Sequence, residues 1–203
     1  MELGGWYDRF ASVYDASVER VYAPYRARIA AALQLSAGQR VLDVACGTGP
    51  NLPHLAAAVG PTGTVVGVDL SEGMLARARR AVGDAPQVTL VARDVRASGP
   101  PLGGPFDGVL STLGLSVIPD WEAVLEHLWG VVRPGGRLVS FDIHARSWVP
   151  QSTIVTWMSG ADLRRKPWEW FASRGLAHEL TWLDGSPHVH GGSPYLLVAR
   201  KPG

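Results

Sequence analysis

Seven short apolar runs, most of them separated by helix-period segments, constrain this chain more than any other feature. They are Arg40–Ala45, Thr64–Asp69, Gln87–Ala92, Phe106–Ser111, Arg137–Asp142, His178–Leu183 and Tyr195–Ala199. The first five are nearly continuous in hydrophobicity, which marks strands buried on both faces of a parallel sheet. Between the runs, Val21, Tyr25, Ile29, Ala32 and Leu33 recur on one helix face until Ser36-Ala-Gly38. A second helix is expected from about Asn51 to Val59. Ser71 is placed to cap a third, with Met74, Leu75, Ala78, Ala81 and Val82 inward. Asp120 is placed to cap a fourth, carrying Trp121, Val124, Leu125, Leu128 and Val132 and ended by Arg133-Pro-Gly-Gly136. A short helix, Trp168–Ser173, precedes the sixth run. The alternation predicts an α/β fold: a doubly wound, seven-stranded sheet, mostly parallel. The last two runs are joined by a Gly/Pro loop of about 10 residues, short for a helical crossover, so the last strand should be antiparallel.

Composition removes several alternatives. A chain of 203 residues with 46% hydrophobic residues buries a sizeable core and fits one domain over residues 1–203. Nineteen Lys+Arg against 18 Asp+Glu leave a formal charge of +1, so no strong polyanion-binding field exists and nucleic acid is not an expected partner. Cys46 is the single cysteine, so no intrachain disulfide framework is available. No apolar run approaches the ~18 residues of a membrane span. Met1–Trp6 lacks a basic region and an apolar core, so a cytoplasmic location is expected.

The chemistry concentrates in Val41-Leu-Asp-Val-Ala-Cys-Gly-Thr-Gly-Pro-Asn51. A strand ends, Gly47 and Gly49 permit a tight turn and close backbone approach, and a helix begins. Asp69, 22 residues after Gly47, ends the second strand, where a carboxylate accepts the hydroxyl protons of a ribose. The pattern therefore expects a nucleoside-bearing ligand at the carboxyl edge of the sheet. A dinucleotide fingerprint would need a third glycine at position 52, which is Leu52. Asp43, inside the first strand, suits a cationic amino group better than a pyrophosphate. The loop fits an amino-acid tail better than two phosphates.

These residues resemble a known family. Val41-Leu-Asp-Val-Ala-Cys-Gly-Thr-Gly49 is similar to the first motif of class I S-adenosylmethionine-dependent methyltransferases, and Val66-Gly-Val-Asp-Leu-Ser-Glu-Gly-Met-Leu75 to their second. Arg93-Asp-Val95, Phe106-Asp-Gly-Val-Leu110 and Leu128-Trp-Gly-Val-Val-Arg-Pro-Gly-Gly-Arg-Leu138 resemble the later motifs, in order. Tyr7-Asp-Arg-Phe-Ala-Ser-Val-Tyr-Asp15 resembles the entry segment of the ubiquinone/menaquinone and phospholipid methyltransferase branch. The resemblance covers roughly residues 5–145. It implies a Rossmann-like class I methyltransferase fold, S-adenosyl-L-methionine as cofactor, and an N-terminal segment, residues 1–35, forming part of a lid. By that resemblance Gly47 and Gly49 make room for the methionine part, Asp43 binds its amino group and Asp69 holds the ribose. Leu70 and Val95 flank the adenine, and Asp94 accepts from its amino group. Ser111 and Leu113 line the methyl-donor region, and Tyr14, Ala45 and Met74 complete the cofactor contacts. Two departures stand out: Pro50, where a glycine or small residue is usual, and a short insertion after the fifth strand, Ile143 to Gly160.

The implied reaction is in-line displacement at a carbon activated by a sulfonium. Placement and water exclusion do most of the work, and a base is needed only for a protonated nucleophile. His144 and Tyr14 are the expected catalytic residues, followed by Tyr7 and His54. His188 and His190 are too few to hold a metal, and no metal is expected. The acceptor expected is a small molecule, lipid-like first, with peripheral membrane contact through Trp168, Trp170 and Phe171 weighed against simple helix packing. Tyr7, Phe10 and Tyr14 could equally staple the core, and Trp148, Trp157 and Met158 could be core or acceptor wall. The alternatives are a nicotinamide-dependent oxidoreductase and a catalytically silent nucleoside-binding domain of the same fold.

Overall fold

The computed structural model describes residues 21–96, 103–145, 160–183 and 192–203. Seven strands form one sheet: β1 (Arg40–Val44), β2 (Thr64–Asp69), β3 (Val88–Ala92), β4 (Phe106–Thr112), β5 (Val132–His144), β6 (His178–Trp182) and β7 (Ser193–Arg200). Their order is β3-β2-β1-β4-β5-β7-β6. β1 pairs in parallel with both β2 and β4, and β2–β3 and β4–β5 are parallel too. β7 runs antiparallel to both β5 and β6. The expected sheet, parallel except for its last strand, is the one observed. The chain moves outward from β1 through β2 to β3, then returns to β4. That reversal opens a crevice at the carboxyl ends of β1 and β4.

Alternate strand residues supply two cores, because successive side chains leave a strand on opposite faces. Val41, Val65, Leu110, Val139 and Phe141 pack under α1 (Arg26–Ala32) and α2 (Leu52–Val59), with Ala78 of α3 (Glu72–Val82) in the same cluster. Leu42, Val66, Val109, Leu138 and Leu197 face α4 (Trp121–Val131) and α5 (Pro167–Ser173). The Ser71 hydroxyl accepts the Met74 N–H at 3.1 Å, capping α3 as its sequence predicts. Trp170 and Phe171 are buried, and Phe171 meets Trp129 edge-on at 5.2 Å. Those two rings are helix packing, not a membrane-facing surface. Among the described residues no helix is long and apolar enough to cross a membrane.

Three local expectations need correction. The buried face around α1 is Tyr22, Arg26, Ile29, Ala30 and Leu33, whereas Val21, Tyr25 and Ala32 are only partly buried. A buried arginine in mid-face shifts the apparent stripe by one residue. Arg133-Pro-Gly-Gly136 does not separate helix from strand: β5 begins at Val132, pairs with Phe106, and shifts register before Gly108 meets Arg137. Gly135 takes φ +79° there, so the segment is an irregularity inside a strand. Asp120 occupies the N-cap position of α4 in a left-handed conformation, with no side-chain capping bond.

Candidate functional site

The crevice is built from two strand ends and a loop. β1 gives way to Ala45 at φ +53°, and β4 to Leu113 at φ +55°. Non-glycine residues in this region cost on the order of 1 kcal/mol, and such strain collects at functional sites. Beyond Ala45, Cys46 N–H donates to Val68 O, Gly49 N–H to Cys46 O, and Leu52 N–H to Gly49 O as α2 starts. Gly49 is required sterically: at φ +81°, a Cβ would lie 2.7 Å from Leu52 and 3.0 Å from Ala78. Gly47, at φ +57°, differs, because a Cβ there would meet nothing within 4 Å. Its open side faces space, as a loop that leaves room for a ligand must. Leu52 is fully buried.

Asp69 ends β2 and lines a groove together with Ala45, Leu70, Asp94 and Val95. Its Oδ2 accepts the Gly47 N–H at 2.8 Å and its Oδ1 the Ser71 N–H at 2.9 Å. Those two bonds fix the carboxylate at the strand end, on the floor of the groove. Leu70, 48% exposed, offers an apolar surface. Asp94 is gripped by Arg96, whose Nη2 donates to Oδ2 at 2.6 Å and Nε to Oδ1 at 3.0 Å. That side-chain bond holds the Asp94 carboxyl below the usual carboxylate range. Val117, Ile118 and Pro119, from the loop after β4, supply an apolar side of the same groove.

Asp43 lies below this surface, in register with Gly67 on β2 and Leu110 on β4. It is fully buried, and neither carboxylate oxygen has a hydrogen-bond partner among the described residues. Burial drives its carboxyl up to about 7, against the opposing pull of the Arg26 charge and of the Asn51 side chain, which lies close without completing a well-aligned bond. The Ser111 hydroxyl, at the end of β4, is likewise buried without a partner among the described residues. Nearby, Arg26 Nη1 donates to Asn51 Oδ1 at 3.2 Å, and Asn51 Nδ2 to Thr112 Oγ1 at 3.0 Å. Buried polar groups without partners are rare and call for explanation.

His144 stands apart from the groove. It is buried at the end of β5, its ring edge-on to Trp168 at 5.1 Å and 6.0 Å from Trp182. Its Nδ1 lies 3.1 Å from Arg165 O, so Nδ1 carries the proton and donates to that carbonyl. His54 is exposed on α2. Met74 is buried, with its backbone bound to Ser71, and does not line the groove. Cys46 is buried, and burial pushes its thiol far up, so it packs and does not react. Tyr7, Phe10, Tyr14, Trp148, Trp157, Met158, His188 and His190 lie outside the described residues. Among the described residues no three His, Cys, Asp or Glu side chains gather to hold a metal.

Sequence reasoning missed Arg26, Asn51, Arg96 and the Val117–Pro119 wall. Only Arg26 left a trace, as a cation interrupting the apolar stripe of its helix.

Residues 41–136 match a family model described as a methyltransferase domain. A demethylmenaquinone methyltransferase of Staphylococcus saprophyticus is 34% identical over 140 residues, 69% of this chain; the chain spans 58% of that relative's length. Among solved structures, a Haemonchus contortus phosphoethanolamine N-methyltransferase in complex with phosphomonomethylethanolamine and S-adenosylhomocysteine superposes with a TM-score of 0.80 at 17% identity. It covers 100% of this chain and 61% of that one. The [4+2]-cyclase SpnF superposes with a TM-score of 0.79 at 16% identity, covering 99% of this chain and 96% of that one. At such identities the structural likenesses establish the fold. With the motif order, the crevice geometry and the matched segment together, residues 41–136 form a methyltransferase domain, and the chain is similar to the class I S-adenosylmethionine-dependent methyltransferases.

Proposed function

We propose that this chain moves the methyl group of S-adenosylmethionine to a small-molecule or lipid-like acceptor. The observation that carries the proposal is Asp69, which ends β2, is anchored on the Gly47 N–H and lines the groove. When bound, the cofactor supplies a carbon activated by positive sulfur. The chain's own residues then bind and orient. Asp69 accepts from the two ribose hydroxyls. Leu70 and Val95 flank the adenine, whose amino group donates to Asp94. Gly47 and Gly49 leave room for the amino-acid tail, and Asp43 accepts from its ammonium group directly or through water. Ser111 and Leu113 edge the methyl-donor region. The groove is lined by neither histidine nor tyrosine among the described residues. That suits a reaction driven by placement, with a base needed only for a protonated acceptor.

The relative named for demethylmenaquinone supports a lipid-like acceptor. A cytoplasmic location and a lid formed from residues 1–35 belong to the same proposal. A second reading, a non-methylating activity on the same scaffold, is favoured by the likeness to a cyclase. Titration calorimetry with S-adenosylmethionine and S-adenosylhomocysteine tests cofactor binding. The absence of binding at millimolar ligand sinks the proposal. Asp69→Ala is expected to weaken binding by about 1.5–3 kcal/mol, as for a lost charged hydrogen bond. Turnover on a panel of quinols, phenols and amines separates transferase from non-methylating scaffold.

A further inference from the structure

The loop between β4 and α4 forms a wall of the groove, yet little of its own sequence holds it in place. Val117 and Ile118 both donate backbone N–H groups to Gly114 O, which closes a single turn. The rest of its support comes from two distant segments. From β5, Asp142 Oδ2 accepts the Ser116 N–H at 2.9 Å. From the segment before α5, Asp162 N–H donates to Ser116 O at 2.8 Å. In that same segment, Arg165 Nη1 donates to both Leu115 O and Ile118 O, at 2.5 Å each. Arg165 lies in the field of Asp162, Asp142 and Asp120. Among the described residues its side-chain hydrogen bonds nonetheless go to the two loop carbonyls. A guanidinium is planar and rigid, so two carbonyls held by one nitrogen are fixed relative to each other as well as to the arginine. The backbone of Arg165 is itself pinned, since its carbonyl accepts from His144 Nδ1 and the neighbouring Leu163 O accepts from Ala145 N–H.

We infer that Arg165 is a positioning residue of the cofactor groove: by clasping the Leu115 and Ile118 carbonyls it sets the wall made by Val117, Ile118 and Pro119. The inference rests on the cofactor reading above, in which that wall faces the adenosine portion. Arg165 does not line the groove itself and acts through the loop. His144 takes a corresponding role one step further back, orienting the arginine's backbone.

The experiment compares Arg165→Met and Arg165→Lys with the unaltered chain. Affinities for S-adenosylhomocysteine and for adenosine are measured by calorimetry, and melting temperature reports folding. Arg165→Met is expected to lose roughly tenfold in affinity for both ligands, the equivalent of one charged hydrogen bond. Arg165→Lys, which keeps the charge but loses the fork, should fall between. A purely structural role leaves a variant that is folded at the assay temperature with unchanged adenosine affinity, and that outcome overturns the inference. So does a loss confined to S-adenosylhomocysteine with adenosine untouched. Should Arg165→Met fail to fold, the lysine variant decides on the same readout: unchanged adenosine affinity overturns the inference, and a severalfold loss supports it. If the unaltered chain binds neither ligand, the cofactor reading itself falls, a result distinct from a variant that binds as well as its parent.

Discussion

Two buried aspartates stand two strands apart in the same sheet and have opposite surroundings. Asp142, on β5, is 1% exposed, and both its oxygens accept backbone N–H groups, from Ser116 and from Ile143 at 2.8 Å. Asp43, on β1, is 0% exposed and accepts none among the described residues. Burial raises both carboxyls, Asp142 to about 6 and Asp43 to about 7. Burial and the shift in proton affinity therefore do not distinguish a carboxylate held by backbone donors from one that is not. Satisfaction does. Asp142 has exchanged its water for two backbone donors, whereas the burial of Asp43 is opposed only by the Arg26 charge and the Asn51 side chain.

The contrast predicts opposite mutational behaviour. Asp142→Ala strands two buried N–H groups and should cost about 3 kcal/mol of folding stability by denaturant unfolding. Equal stability in that variant would break the comparison. Asp43→Asn should leave stability at pH 8 unchanged or raised, because it removes a buried charge whose desolvation outweighs the attraction of Arg26. It should also cost about 2 kcal/mol of S-adenosylhomocysteine affinity, read by calorimetry. The pH dependence sharpens the same point. A carboxyl raised in the folded state holds its proton there when the unfolded chain has lost it. Its contribution therefore favours folding at low pH and is lost as pH rises from about 4 towards 7. Ligand affinity should run the other way, rising through pH 7 as Asp43 ionises, and flattening in Asp43→Asn.

The two glycines of the loop extend the test at smaller scale. Gly49→Ala meets Leu52 and Ala78 at a positive φ and should destabilise by about 2 kcal/mol. Gly47→Ala has open space, so it should cost only about 1 kcal/mol of stability while weakening ligand binding. Equal thermal shifts in the two variants would contradict the division of labour between them. The smallest effect is expected from Ser71→Ala, about 1 kcal/mol of stability for a lost helix cap, read by thermal unfolding.

Most of the architecture was legible because buried parallel strands are written as continuous apolar runs. Asp69 and the glycine loop were legible because a tight turn and an acidic strand end leave residue-type signatures at fixed spacing. What stayed hidden shares one physical cause. Arg165 works through backbone carbonyls, which every residue possesses, so no residue type at Leu115 or Ile118 announces the contact. Arg26 sits in an apolar helix face whose period nominates its neighbours instead. Pro134-Gly-Gly136 reads as a stop, but an irregular strand accommodates the same residues once its neighbour shifts register. His144 illustrates the converse: a titratable ring at a strand end drew attention, and the fold uses it against tryptophan.

Ala45 and Leu113 lead to a practical consequence. Each ends one of the two strands flanking the crevice, and each holds a side chain in a conformation that glycine would adopt freely. Ala45→Gly or Leu113→Gly relaxes that torsion but also loosens the unfolded chain and removes a side chain. The crevice thus stores conformational tension where its two flanking strands end. An engineer seeking a hardier scaffold would start there, watching whether heat tolerance is gained at the expense of grip.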